Sequence, residues 1–279
     1  MSPTRDARDV TVRDIRVRAV EAGRGKGPPL LLIHGFLVSH AQWDDLIDRL
    51  ATRFHVIAPD LPGFGDSEKP SPARFEYGVE AFAESMADLV SAFNVGRVHV
   101  IGHSIGGAAA LTLAAQHAEL VQRLIVVDPL SYPFPMSLKV RLPLKPVIGP
   151  FLFKQLYGRG LFRAYFRDEV FQRGAPINLA RVDEHYDKFN SPAARESAYA
   201  TLRAMMDTRA LVARLGRVRA PTLVIWGHDD KLFPVAHAGR LAKEIANARL
   251  QIMDTGHSPF EERPEEFLDI VNEFLEGRR

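Results

Sequence analysis

The chain has 279 residues, 46% hydrophobic and 25% charged, enough apolar material for one large domain or for a core carrying an inserted unit. A formal net charge of only +2 excludes the strongly basic profile of a nucleic-acid-binding chain. With no cysteine, disulfide frameworks, thiolate metal sites and cysteine nucleophiles are excluded as well.

The first twenty residues, MSPTRDARDVTVRDIRVRAV, hold no apolar stretch of the signal-peptide kind, and no apolar run approaches the roughly 18 residues of a membrane span. A cytoplasmic protein is expected. Val10, Val12, Ile15 and Val17 alternate with polar residues and predict two short edge strands. After the turn GRGKGPP, residues 30–33 (LLLI) form a wholly apolar run of the kind found in a buried parallel strand, and 55–58 (HVIA) form another. Phe82, Met86, Leu89, Val90 and Phe93 recur at helical spacing and predict a helix over 79–93. The strand VHVIG follows, then the small-residue helix GGAAALTLAAQH, then a strand over 123–128 (RLIVVD). After a long interlude come the strand TLVIWG, a helix over 235–245, the strand RLQIM and a final helix over 264–275. Pro264, Glu265 and Glu266 at its start suit a helix N-terminus.

Strands alternating with helices predict an α/β fold, a mostly parallel doubly wound sheet with right-handed crossovers. The interlude, 131–215, shows no β-like alternation, and Pro and Gly break its helical phrases. It carries 14 Lys+Arg against 7 Asp+Glu, whereas the remainder carries 22 against 27. We therefore expect a core domain formed by 1–130 and 216–279, with 131–215 inserted as a helical cap above the strands' C-terminal edge, where open parallel sheets bind ligands.

The chemistry centres on Gly102-His103-Ser104-Ile105-Gly106. A nucleophile on a sharp strand-to-helix turn needs small residues two positions to either side, which Gly102 and Gly106 supply. Ser104 then stands at a helix N-terminus, where amide groups favour developing negative charge. A serine hydroxyl also needs a base. His257 lies between the strand RLQIM and the last helix, at the same edge as Ser104, whereas His103, His117 and His237 read as packed or solvated. An acid must orient the imidazole. Asp230, after the strand TLVIWG, is favoured over its neighbour Asp229, with Asp128 at the end of RLIVVD a third candidate. The amides of Phe36 and Ile105 are the expected oxyanion donors, Gly35 permits the turn that presents Phe36, and His34 reads as a loop anchor.

The segments HGF, DLPGFGDS, GHSIGG, WGHDDKLFP and TGHSPFEERPEEF resemble, in order and spacing, the signature segments of the α/β-hydrolase superfamily over nearly the whole chain. The resemblance implies an α/β-hydrolase fold, places the acid at Asp230, and gives DLPGFGDS a structural role beside the site. It implies a serine hydrolase acting through an acyl-enzyme on a small-molecule ester, with no cofactor, metal or nucleic-acid partner. Relatives that open epoxides or displace halide use an aspartate where this chain has Ser104. Carbon–carbon bond hydrolases carry a Gly-rich oxyanion segment, which HGFLVS is not. Lactonase, thioesterase and perhydrolase activities share the same machinery. A non-catalytic binding protein of the fold would be expected to lose a triad member or an elbow glycine, and none is missing.

The cap offers a clue to substrate. Between Ser131 and Arg167 it contains Lys139, Arg141, Lys145, Lys154, Arg159, Arg163 and Arg167 and no acidic residue before position 168, interleaved with aromatic and aliphatic side chains. Two readings follow. This surface could make transient contact with lipid or a membrane surface, or its apolar side could pack on the core while its cations meet the acidic sheet domain.

Overall fold

The computed structural model describes residues 4–133, 142–145 and 148–277. The apolar runs become strands: β1 Arg5–Val12, β2 Ile15–Ala22, β3 Pro29–Ile33, β4 His55–Pro59, β5 Val98–His103, β6 Val121–Val127, β7 Thr222–Gly227 and β8 Ala248–Met253. They form one sheet in the order β1-β2-β4-β3-β5-β6-β7-β8. From β4 to β8 every pairing is parallel, while β1–β2 and β2–β4 are antiparallel. Only β1 of the first two is an edge strand. Ala19 to Ala22 of β2 pair with β4 as well as with β1, so the alternation revealed which face is buried but not the second neighbour.

Because successive strand residues face opposite ways, β3 feeds two cores. Leu31 and Ile33 join the layer containing the helices Val79–Phe93 and Ile105–Gln116. Leu30 and Leu32 join the layer containing Asp44–Leu50 and the C-terminal helix Pro264–Leu275. The helix Asp44–Leu50 was not expected, being too short to show a period; it buries Leu46, Ile47 and Leu50.

Between β6 and β7 the elements of the described residues are all helical, the longer pieces being Arg159–Tyr165, Leu179–Phe189 and Pro192–Ala204. The last starts cleanly because Ser191 Oγ accepts the Ala194 amide at 3.2 Å and Pro192 occupies the first turn. Phe153, Phe162 and Phe166 point inward and join the sheet's own apolar core. The cations meet different partners from those expected. Arg159 pairs with Asp183 and Asp187, Arg163 with Asp183, Arg167 with Asp168, and Lys154 with Glu196, all acids of the insertion itself rather than of the sheet domain. Apart from Asp168, which neighbours Arg167 in sequence, these acids belong to the second half of the insertion, and helical folding brings them against the acid-poor first half. Lys139 and Arg141 lie outside the described residues. Ion pairs to the sheet domain come from Arg181 with Asp45, Lys188 with Asp66 and Arg214 with Glu80. Among the described residues no helix is long and apolar enough to cross a membrane.

Candidate active site

β5 ends at His103 and the helix Ile105–Gln116 begins one residue after Ser104, leaving Ser104 alone to make the turn at φ 56°, ψ −118°. That backbone is costly for a residue with a Cβ and persists only because its surroundings fix it. The Ser104 amide donates to Val127 O at 2.9 Å, and its carbonyl accepts from Ala108 and Leu130 at 3.1 Å each. The turn is tight enough to exclude side chains at its flanks. A Cβ on Gly102 would lie 2.4 Å from Gly106 O, and one on Gly106 would lie 2.3 Å from His34 O.

The loop after β8 carries His257, whose amide donates to Val170 O at 2.7 Å. Its Nδ1 meets Asp230 Oδ2 at 2.8 Å, the two side chains being 3% and 0% exposed. Asp230 Oδ1 accepts the amides of Leu232 at 2.8 Å and Phe233 at 3.0 Å, so the carboxylate is fixed before it orients the ring. With Nδ1–H donating to Asp230, Nε2 is left as the basic nitrogen. Ser104 Oγ makes no hydrogen bond to His257 here; such contacts commonly tighten only around substrate.

The amides of Phe36 and Ile105 donate to no acceptor among the described residues. Gly35 sits between them and the elbow: a Cβ there would be 2.8 Å from His103 Nδ1 and 3.3 Å from Ser104 Cβ. His34 anchors this loop, its Nε2 accepting the Leu61 amide at 2.9 Å and its Nδ1 donating to Gly35 O at 2.8 Å. Burial, opposed by the nearby Asp60 charge, lowers its pKa to about 4. In the segment DLPGFGDS, Asp60 accepts the amides of His40 at 2.6 Å and Asp66 at 2.7 Å, a purely local role.

The competing candidates separate by position. Asp229 is exposed and accepts from Gln172 Nε2 and His228 Nδ1, both at 2.8 Å. His117 pairs with Glu84, and His237 packs against the rings of Tyr132 and Trp226. His103 is buried, its pKa held well below the usual histidine range by burial and then by His257. Asp128, by contrast, is in the site: one of its oxygens, one of Asp230 and a ring nitrogen of His257 lie within 4.8 Å of one another. Those three have a donor set that could take a metal ion, but Asp230 and His257 already satisfy each other.

Sequence reasoning missed Gln42, which carries no motif. Its Oε1 accepts the Gly35 amide at 3.0 Å, and its Nε2 donates to His103 Nδ1 at 3.1 Å. It also missed the pocket tyrosines. Ser104 opens into a cavity of about 470 Å³ walled by Phe36, Leu37, Phe153, Leu202, Met206 and other apolar groups, with Tyr157 and Tyr165 among them. The only charged side chains lining it, among the described residues, are Asp168 and Glu169.

A mostly parallel eight-stranded sheet with helices inserted after β6 and a strained serine after β5 is an α/β-hydrolase fold. The sequence profile of the Alpha/beta hydrolase family matches residues 30–270, and the chain belongs to that family. Relatives span nearly all of it. The uncharacterized protein Rv2715 of Mycobacterium tuberculosis is 34% identical, covering 98% of this chain and 84% of its own length. The 2-hydroxy-6-oxo-6-(2'-aminophenyl)hexa-2,4-dienoic acid hydrolase of Metapseudomonas resinovorans is 30% identical, covering 97% and 91%. The crystal structure of a membrane phospholipase A, described as a bacterial virulence factor, superposes with a TM-score of 0.80 at 31% identity over 98% of this chain and 86% of that one.

Proposed function

We propose that the protein is a serine hydrolase that cleaves carboxylic esters of apolar acyl groups, with 131–215 acting as the cap over its pocket. The observation that carries this reading is Ser104, strained at the elbow and opening directly into an apolar cavity. Ser104 Oγ attacks the ester carbonyl as His257 Nε2 takes its proton, and Asp230 steadies the imidazolium. The amides of Phe36 and Ile105 receive the oxyanion. Collapse expels the alcohol, protonated by His257, and leaves an acyl-serine. A water molecule, deprotonated by His257, then releases the acid. These steps need no cofactor.

The carbon–carbon reading rests on the dienoic acid hydrolase relative. A substrate of that class brings a carboxylate, which a water-poor pocket must pair or hydrogen-bond. The charged residues lining this cavity, among those described, are acidic. An uncharged acyl chain suits it better. Leu142, Leu156 and Leu161 line the cavity and are 44%, 54% and 57% exposed, so its mouth is apolar outward as well as inward. That favours delivery of substrate from a lipid surface.

Fluorophosphonate labelling and hydrolysis of p-nitrophenyl esters of graded chain length test the proposal. Ser104→Ala should abolish labelling and nearly all turnover, leaving a residual ~10³–10⁴-fold over water from the oxyanion donors and binding. Turnover within tenfold of the parent would remove Ser104 from its role.

A further inference from the structure

Behind the Asp230–His257 pair stands a second carboxyl that the mechanism above leaves idle. Asp128 follows β6 as Asp230 follows β7, and the parallel pairing of Val127 with Ile225 brings both to one sheet edge. Its backbone adopts φ 44° and its amide donates to Ile225 O at 3.0 Å. The side chain has no solvent exposure. Oδ1 accepts the Gly227 amide at 2.8 Å, whereas Oδ2 is buried without a hydrogen-bond partner. A carboxylate oxygen left so would be costly, and an Asp230 oxygen lies within 4.8 Å of this carboxyl.

Two carboxylates at that spacing in a water-poor site do not both ionise readily. Asp230 is the better equipped to hold charge, having two amides and the imidazole, while Asp128 has one amide. The groups whose charges act on Asp128 are Asp230 first and Glu262 after it, both acidic, and His257 is a cation only when protonated. Burial, then the charge of Asp230, lifts the Asp128 pKa well above the usual carboxylate range.

We propose that Asp128 works as a neutral carboxylic acid, a positioning residue whose O–H is offered to Asp230 so that a single negative charge faces His257. The terminal torsion of an aspartate is soft, and a small rotation brings Oδ2–H onto its neighbour. Sharing that charge keeps Asp230 from holding the imidazolium so tightly that His257 cannot return its proton to the leaving group. The catalytic part of this inference rests on the ester-hydrolase reading; the protonation of Asp128 does not.

Asp128→Asn is the informative variant. The amide keeps an acceptor for Gly227, supplies N–H in place of O–H, and tolerates the left-handed backbone. In an infrared difference spectrum between parent and Asp128→Asn at pH 7, a protonated-carboxyl band should be lost; loss of carboxylate bands instead overturns the proposal. Stability gives a second readout. Asp128 ionises near pH ~4 when unfolded but stays protonated when folded, so the parent loses stability as pH rises from 5 to 8 and the variant does not. The melting temperature of Asp128→Asn should therefore pull ahead of the parent's across that range, and parallel curves contradict the inference. For the positioning role, Asp128→Ala should move the acid limb of kcat/KM to higher pH while Asp128→Asn leaves the limb in place. An unmoved limb in both leaves Asp128 a packing residue only. Ser104→Ala labelling decides the reaction separately, so the two ideas fail independently.

Discussion

His103 Nε2 donates to the backbone carbonyl of His257 at 2.7 Å, so the residue before Ser104 braces the loop that carries His257. The other ring nitrogen accepts from Gln42, which also holds the Gly35 amide. One buried chain of hydrogen bonds thus spans the Gly35–Phe36 loop, the Ser104 elbow and the His257 loop, three segments far apart in sequence.

Gln42→Leu would leave the His103 Nδ1 and the Gly35 amide unpaired in the core. Each such loss costs about 1–3 kcal/mol, so chemical denaturation should show clear destabilisation. Because Gly35 precedes the Phe36 amide, kcat should fall by roughly 10–100-fold with little change in KM. Unaltered kcat in a destabilised variant would reduce the network to scaffolding.

Much of this was legible in the sequence because it is local. Gly102, Ser104 and Gly106 lie within one turn, and a tight turn announces itself by its small residues. The strands of the parallel sheet were equally plain, since burial on both faces forces unbroken apolar runs such as residues 30–33. What could not be read was pairwise and distant. Gln42 reaches His103 across 61 positions of sequence, and no period or motif marks it. Asp128 stood as a rival for the acid's place, whereas the sheet register sets it beside Asp230. The arginines of the insertion were visible as charge, but their partners Asp183 and Asp187 depend on how its helices fold back.

Asp230→Asn should lower kcat by about 10⁴, because an amide there holds the wrong imidazole tautomer. Asp229→Asn should cost far less, its carboxylate being exposed and tied to Gln172 and His228. Steady-state kinetics on one soluble ester, with a folding check by circular dichroism, compares them directly. A larger loss at position 229 would reassign the acid.

Several histidines are buried neutral. Burial lowers the pKa of His34 to about 4, His99 to about 4 and His185 to about 3, with neighbouring cations adding to the effect at the last two. Unfolded histidine takes up a proton near pH ~6.5, and these do so only well below it. Stability they contribute above pH ~6.5 is therefore lost as pH falls from there toward 4, by up to ~1.4 kcal/mol per pH unit for each. His99→Leu isolates the effect, since His99 Nδ1 has no hydrogen-bond partner. Urea unfolding should show its stability relative to the parent growing as pH drops from 7 to 5. A constant difference across that range would mean that His99 takes up its proton alike in the folded and the unfolded chain.

The cap's outward apolar face makes the last prediction. Ile148 and Phe151, each 57% exposed, belong to the same stretch as the cavity-lining Leu142, Leu156 and Leu161 but do not themselves line the cavity. Transfer of such side chains into a lipid surface gains ~25 cal/mol per Å² of apolar area, or roughly 1 kcal/mol for the exposed half of each. Arg159, Arg163 and Arg167 add little, because their charges are already met by Asp183, Asp187 and Asp168. Attraction to anionic lipid should accordingly be weak, and binding should respond to surface apolarity rather than to salt. Activity on a monoacylglycerol-like ester should rise above its aggregation threshold, with neutral and anionic vesicles sedimenting the protein alike. Replacing Ile148 and Phe151 together by Ser should weaken vesicle binding by ~30-fold, about 2 kcal/mol, while a short soluble ester is still turned over. Replacing the arginines would be a poorer test, since unpairing Asp183 perturbs the cap's own packing. Kinetics that run smoothly through the threshold, with no vesicle co-sedimentation, would confine these side chains to covering the pocket.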